Sequence, residues 1–118
     1  MNRRDKDILD KMLLYCVEID DAHEYFNDNH TLFLNEKAGT IYRNAVSMSI
    51  LQIGELTKSL SAEFREQHKG IPWRDIMRMR DLFAHHYGAM NAEQTWHISH
   101  SDIAELKQFL QTIIEESN

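Results

Sequence analysis

Residues that interrupt helices are scarce in this chain. Among its 118 residues, Pro72 is the only proline, and there are four glycines. Because these two residue types disfavour helix interiors most strongly, their scarcity argues against an architecture of short strands and turns. No stretch approaches the roughly eighteen apolar residues of a membrane-spanning helix, which excludes a helical membrane protein.

Cysteine is nearly absent as well. The one cysteine, Cys16, has no partner for an intrachain disulfide, which excludes a disulfide-stapled fold and favours a reducing compartment. The first residues are charged and lead into a segment rich in acids, unlike the apolar core of a signal peptide. We therefore expect a cytoplasmic protein with no membrane partner.

Helix-forming residues dominate what is present, and the length suits one domain, residues 1–118. Apolar residues from Ile8 to Phe26 recur at intervals of three and four, as on one face of a helix. Candidate core positions of the second helix are Val46, Ile50, Ile53, Leu60 and Phe64. The predicted helices are about Asp5–Asn27, Asn35 to the region of Gln67–Gly70, Pro72 to Tyr87–Gly88, Ala92–Ile98 and Asp102–Glu116.

The charge is unevenly distributed. A net charge of −6 argues against a general nucleic-acid coat protein, because lysine and arginine dominate binding to phosphate backbones. From Arg65 to Met90, however, five basic residues stand against three acids. This window would attract an anionic ligand, whereas the acidic remainder suits a basic protein partner.

The most informative segment lies in that window, from Arg80 to Tyr87, and has the pattern RxxxxHxY. Arginine can hold a phosphate with two parallel hydrogen bonds, and histidine exchanges protons near neutral pH. Together, Arg80 and His85 suggest phosphodiester cleavage without a metal or other cofactor. Positions five apart on a straight helix diverge by about 140°, so one helix would converge the pair poorly. Either the helix loosens before Gly88, or a second copy completes the site.

Glu55 is a carboxylate within an apolar helical stretch, directly after Gly54. Its surroundings predict a structural glutamate with a partner such as an arginine, in preference to a catalytic one. Gly54 would allow a second helix to approach closely at this point.

Other polar and aromatic residues have simpler interpretations. Glu93, His97 and His100 have the spacing of metal ligands on one helix face, but zinc requires further ligands, so we expect no metal site. Trp73 and Trp96 follow core spacing, so packing is favoured over base stacking.

Four sequence segments, taken together, resemble those of a known family. They are Ile50-Leu51-Gln52-Ile53-Gly54-Glu55, Ile71-Pro72-Trp73-Arg74-Asp75-Ile76, Arg80-x-x-x-x-His85-x-Tyr87 and Trp96-x-Ile98. The ordered set resembles the HepT-like proteins of the HEPN superfamily, which are the toxin half of HepT–MntA toxin–antitoxin pairs. The resemblance runs from about Asp7 to the final helix. It implies an all-α, up-and-down bundle of four to five helices that forms a homodimer.

The resemblance also implies an activity, a metal-independent endoribonuclease that works in a cleft between two protomers. Arg80 and His85 match the catalytic pair, and Asp81 occupies a position where asparagine is common. Tyr87 matches the tyrosine that the MntA-like nucleotidyltransferase antitoxin modifies with AMP. Two alternatives remain open from the sequence: a non-catalytic subunit that binds substrate or nucleotide for a nucleotidyltransferase, and a purely structural dimer.

Overall fold

The computed structural model describes residues 1–85 and 92–117, with the side chains of 82–85 excepted. This part of the chain is helical and contains no strand. Five helices have nine residues or more, which confirms the all-α bundle predicted from composition and spacing. In chain order the helices are α1 (Arg3–Tyr25), α2 (His30–Leu34), α3 (Thr40–Ser59), α4 (Ala62–Gln67), α5 (Trp73–His85), α6 (Ala92–His100) and α7 (Asp102–Ser117).

The long helix α3 lies at the centre of the bundle. It packs against both α1 and α5, while α7 covers another side of α1. The predicted stripe of α1 is confirmed, since Ile8, Met12 and Ile19 are buried. The predicted inner positions of the second helix are likewise all buried. None of the described helices combines the length and apolar content needed to cross a bilayer.

The second predicted helix is wrong in its extent, because the structure divides that stretch into α3 and α4 and starts α3 later. Asn35 does not begin a helix. Its side chain accepts hydrogen bonds from the backbone N–H groups of Lys37 and Ala38, which forms a turn before Thr40. The Ser61 hydroxyl accepts from the Phe64 N–H and caps a new helix. Both breaks arise where a polar side chain competes for backbone hydrogen bonds.

The first helix ends close to its predicted position. Asn27 and Asp28 adopt left-handed backbone conformations, with φ of 57° and 50°, directly after α1. Asparagine and aspartate tolerate this conformation better than most residues, which explains why the helix stops there. The predicted extension of the third helix to Tyr87–Gly88 lies outside the described residues. Cys16 is fully buried, and burial raises the pKa of its thiol to about 12, so it is an inert core residue.

Candidate active site at the crossing of α3 and α5

The backbones of α3 and α5 approach closely at Gly54 and Arg80. A side-chain Cβ at Gly54 would lie 2.2 Å from the Cβ of Arg80 and 3.0 Å from its Cα, which is too close for any residue but glycine. Ile76 and Met79 of α5 are buried and hold this helix against the core. Arg80 therefore starts from a fixed backbone position, as the sequence predicted for a glycine that permits close helix approach.

Arg80 forms a surface chain of charges with its neighbours. Its Nε donates to Glu55 Oε2 at 2.5 Å, and its Nη1 donates to Asp81 Oδ1 at 3.3 Å. The same Asp81 oxygen accepts from Lys58 Nζ at 2.8 Å. The partner expected for Glu55 is thus an arginine, although the pair lies at the surface, with the Glu55 side chain 53% exposed. We call these four residues the Arg80 network.

The Arg80 network sets both the charge state and the orientation of the guanidinium. The hydrogen bond to Glu55 raises the pKa of Arg80, and the hydrogen bond from Lys58 lowers the pKa of Asp81. These hydrogen bonds thus stabilise the charged forms of the Arg80 guanidinium and the Asp81 carboxyl. Nε donates to Glu55 and Nη1 to Asp81, so Nη2 is the guanidinium nitrogen without a carboxylate partner among the described residues, and a phosphate would approach it there. The Arg80 side chain is 26% exposed, so part of it is accessible from solvent.

The other predicted site residues are less fully described. His85 is the last residue of α5, five positions after Arg80 on the same helix, and its side chain lies outside the described part. Their divergence of about 140° on a regular helix therefore stands. Tyr87 falls in residues 86–91, which also lie outside it. Of the predicted catalytic pair, Arg80 is thus the residue whose side chain lies within the described part of the chain, at the close crossing of α3 and α5.

The chain is similar to known proteins over most of its length. The HepT-like family, described as Ribonuclease HepT-like, matches residues 16–113, a range that contains the whole Arg80 network and His85. The chain belongs to the HepT-like ribonuclease family.

Curated relatives of this HepT-like chain carry related descriptions. "Gamma-glutamylcyclotransferase and putative RNase" of Methanocaldococcus jannaschii is 33% identical over 97% of this chain, which spans 50% of that relative. "Putative RNase" of the same organism is 26% identical over 96% of this chain and 100% of its own length. "Probable ribonuclease HepT" of Thermococcus cleftensis is 36% identical over 53% of this chain and 57% of its own. No solved structure matches the chain significantly.

A second polar cluster of the HepT-like chain was not predicted from the sequence. The Tyr42 hydroxyl donates to Nδ1 of buried His23, and His23 Nε2 donates to Ser99 Oγ at 2.9 Å. Ser99 in turn donates to the carbonyl of Trp96 at 2.8 Å. One feature of the sequence pointed to this cluster: His23 lies four residues after Ile19, on the face of the helix that is expected to be buried. Tyr42 and Ser99 are remote in sequence and carried no signal.

His23 also lies near Asp28 and His100, and potential ligand atoms of these three residues lie within 4.8 Å of one another. Their hydrogen bonds favour a structural role. Burial, reinforced by His100, lowers the pKa of His23 to about 4, so His23 is neutral near pH 7 and both ring nitrogens are bonded. His100 bonds to Asp28 at 2.7 Å and to the Trp96 carbonyl at 2.9 Å. A metal ion would have to displace these partners.

The three residues of α6 that have the spacing of metal ligands do not converge on one point. Glu93 pairs with His30 at 3.0 Å, whereas His100 pairs with Asp28, and His97 is exposed. The tryptophans pack as predicted. Trp73 is buried and donates to the His68 carbonyl, and Trp96 contacts the rings of His23 and Phe33.

Proposed function

We propose that this chain is the toxin of a toxin–antitoxin pair and acts as a metal-independent endoribonuclease. The observation that carries the proposal is the fixed, charged Arg80 at the crossing of α3 and α5, five residues before His85, in a chain of the HepT-like ribonuclease family. In this proposal Arg80 and His85 are catalytic. Glu55 and Asp81 are positioning residues that orient the arginine.

The proposed reaction uses two copies of the chain. His85 of one protomer removes the proton from a ribose 2′-hydroxyl, and the 2′-oxygen attacks the adjacent phosphorus. The bond from phosphorus to the 5′-oxygen breaks, and that oxygen takes a proton from His85 of the second protomer. Arg80 stabilises the negative charge that develops on the phosphate oxygens. The products are a 2′,3′-cyclic phosphate and a 5′-hydroxyl.

An exposed apolar strip on α3 supports the proposed homodimer. Ile41 is 75% exposed and Met48 is 57% exposed, and Glu55 follows at the same spacing of seven residues. Residues seven apart lie on nearly one line along a helix, so the strip leads directly to the Arg80 network. A two-fold axis beside this strip would bury the apolar side chains and bring both copies of Arg80 into one groove.

The function is tested by incubating the purified chain with single-stranded RNA in excess chelator. We expect cleavage to persist, with products that end in 2′,3′-cyclic phosphate, because the reaction needs only protein groups and the 2′-hydroxyl. A DNA strand of the same sequence should remain intact, since it lacks that hydroxyl. Products with 3′-hydroxyl ends, or activity that requires a divalent ion, would contradict the mechanism. No cleavage combined with tight binding to a nucleotidyltransferase would favour the non-catalytic alternative.

The proposed antitoxin is an MntA-like nucleotidyltransferase that transfers AMP to Tyr87. Tyr87 lies seven residues after Arg80, a spacing close to two helical turns, and a phosphate attached there would compete with RNA for the arginine. Mass spectrometry after co-expression should find AMP on Tyr87, and Tyr87→Phe should keep cleavage activity but escape silencing. A silenced complex with unmodified Tyr87 would instead indicate inhibition by binding alone.

A further inference from the structure

A basic concavity lies between α4 and the first turns of α5, the helix that also carries Arg80. It is open to solvent, has a volume of about 440 Å³, and is lined by the cations Arg65, Lys69 and Arg74. One acid, Glu66, lies on its rim and pairs with Lys69 at 2.8 Å. After this ion pair is counted as neutral, the lining has two further positive charges, those of Arg65 and Arg74.

Both arginines of the lining lack anionic partners among the described residues. Arg65 Nε is buried with no hydrogen-bond acceptor there, and Arg65 Nη1 contacts only the Met77 sulfur, at 3.5 Å. Arg74 forms no ion pair in the same part of the chain, whereas Arg78 and Arg80 of the same helix both contact carboxylates. A guanidinium N–H without an acceptor is unfavourable, and an anion bound in the concavity would compensate the positive charge of this arginine.

The concavity lies along the same strip of α5 as the proposed catalytic arginine. Trp73, Met77 and Arg80 are spaced four and three residues apart, so they share one helix face, and the first two line the concavity. Arg74 precedes Arg80 by six residues, a rise of about 9 Å along the helix axis and a rotation of about 120° around it, so Arg74 reaches the concavity from the flank of this face.

A groove on the other side of α5 offers a contrast. It is lined by Asp75, Asp102 and Glu105 around an apolar floor, so it would repel a phosphate backbone. The two faces of α5 thus differ in the sign of their charge, and an anionic strand that reaches Arg80 is directed along the basic one.

We propose that the basic concavity binds a backbone phosphate of the RNA next to the phosphate that is cut. Arg65 and Arg74 hold its oxygens, while Pro72 and Met77 on the lining contact the sugar or base. This inference rests on the proposed ribonuclease function, but the binding site can be tested separately. Its ligand chemistry is a phosphodiester, and a free nucleotide or inorganic phosphate presents related oxygens.

Binding is measured on the full chain with His85→Ala as background, so that RNA stays uncut, by the fluorescence anisotropy of a labelled RNA oligonucleotide. Arg65→Gln with Arg74→Gln should weaken binding about tenfold and reduce the slope of log affinity against log salt by about 0.7, the value for one phosphate contact. Arg74→Gln alone, at an exposed position, should show part of this loss without any effect on folding. Arg78→Gln is the matched control, since it removes one positive charge from α5 outside the concavity.

Cleavage rates on short and long substrates distinguish the proposed phosphate site from the proposed ribonuclease function on which it rests. In the wild-type background, the Arg65→Gln, Arg74→Gln variant should cleave a dinucleotide, which has only the scissile phosphate, within about twofold of the wild-type rate. On longer RNA its kcat/KM should fall about tenfold, mainly through KM. Equal losses for the Arg78→Gln control would overturn the site, as would competition by AMP or inorganic phosphate as strong as that by RNA. If the wild type cuts no RNA, the ribonuclease proposal fails while the binding result still decides the site.

Discussion

His85→Ala is expected to reduce RNA cleavage by about 10²- to 10⁴-fold, the usual contribution of a general acid or base. In the proposed reaction the loss is at the upper end, because two copies of His85 serve one groove. Secondary structure and unfolding free energy should stay close to those of the wild type. The measurement is the single-turnover cleavage rate of a labelled RNA, with circular dichroism and denaturant unfolding on the same preparation. Retained cleavage would remove His85 from the mechanism.

Heterodimers make the same prediction sharper. When wild-type and His85→Ala chains carry different tags, dimers with one copy of each can be purified by tandem affinity steps. A groove that needs both histidines predicts that these heterodimers keep far less than half of the wild-type activity, although more than the His85→Ala homodimer. Two independent sites, each complete in one protomer, predict about half of the wild-type activity. A chain that elutes only as a monomer would contradict the shared groove.

Gly54→Ala is expected to reduce both stability and activity. Glycine in a helix interior is ordinarily less stable than alanine by about 0.5–1 kcal/mol, so the usual effect of this change is favourable. Here the new Cβ would lie 2.2 Å from the Cβ of Arg80, so α3 and α5 must separate. We expect a loss of about 1–3 kcal/mol in unfolding free energy, typical of an overpacked core, together with a lower cleavage rate as Arg80 shifts.

Gly70→Ala provides the control for that experiment, because, apart from its chain neighbours, no atom of the described residues lies within 4 Å of the position that its Cβ would take. Urea unfolding at equal protomer concentration should place this variant near the wild type, since dimer stability depends on concentration. Equal stability of Gly54→Ala and Gly70→Ala would show that the helices separate at little cost. The Gly54 contact would then not fix Arg80.

The sequence predicted features that depend on local spacing. The buried stripe of α1, the close approach at Gly54 and the need of Glu55 for a partner each follow from residues a few positions apart. The division of one predicted helix at Ser61 was missed because apolar spacing continues across it to Phe64, and only side-chain capping interrupts the backbone. The Tyr42–His23–Ser99 cluster joins three helices across 19 and 76 residues, a distance at which periodicity carries no information.

The placement of the proposed catalytic pair has a related explanation. Spacing alone indicated that Arg80 and His85 diverge around α5, and the regular helix to His85 maintains that divergence. The direction of Arg80 depends on Glu55, 25 residues earlier, which only the packing of α3 on α5 brings within hydrogen-bond distance. The proposed roles of Arg80 and His85 could be assigned from their residue types. The orientation of Arg80 could not, because it depends on the tertiary contact with Glu55.

The Arg80 network contains two cations and two anions, so it is neutral as a unit. The carboxylates of Glu55 and Asp81 already bond two nitrogens of the Arg80 guanidinium. A phosphate that binds Arg80 must therefore compete with these two carboxylates. The affinity for any single phosphate is reduced accordingly, because binding gains only the difference between the two sets of contacts. Small anions that are abundant in a cell gain little from this exchange. A polymer that presents several phosphates at once gains contacts at each of them, so selection for chain length follows from the electrostatics of one arginine.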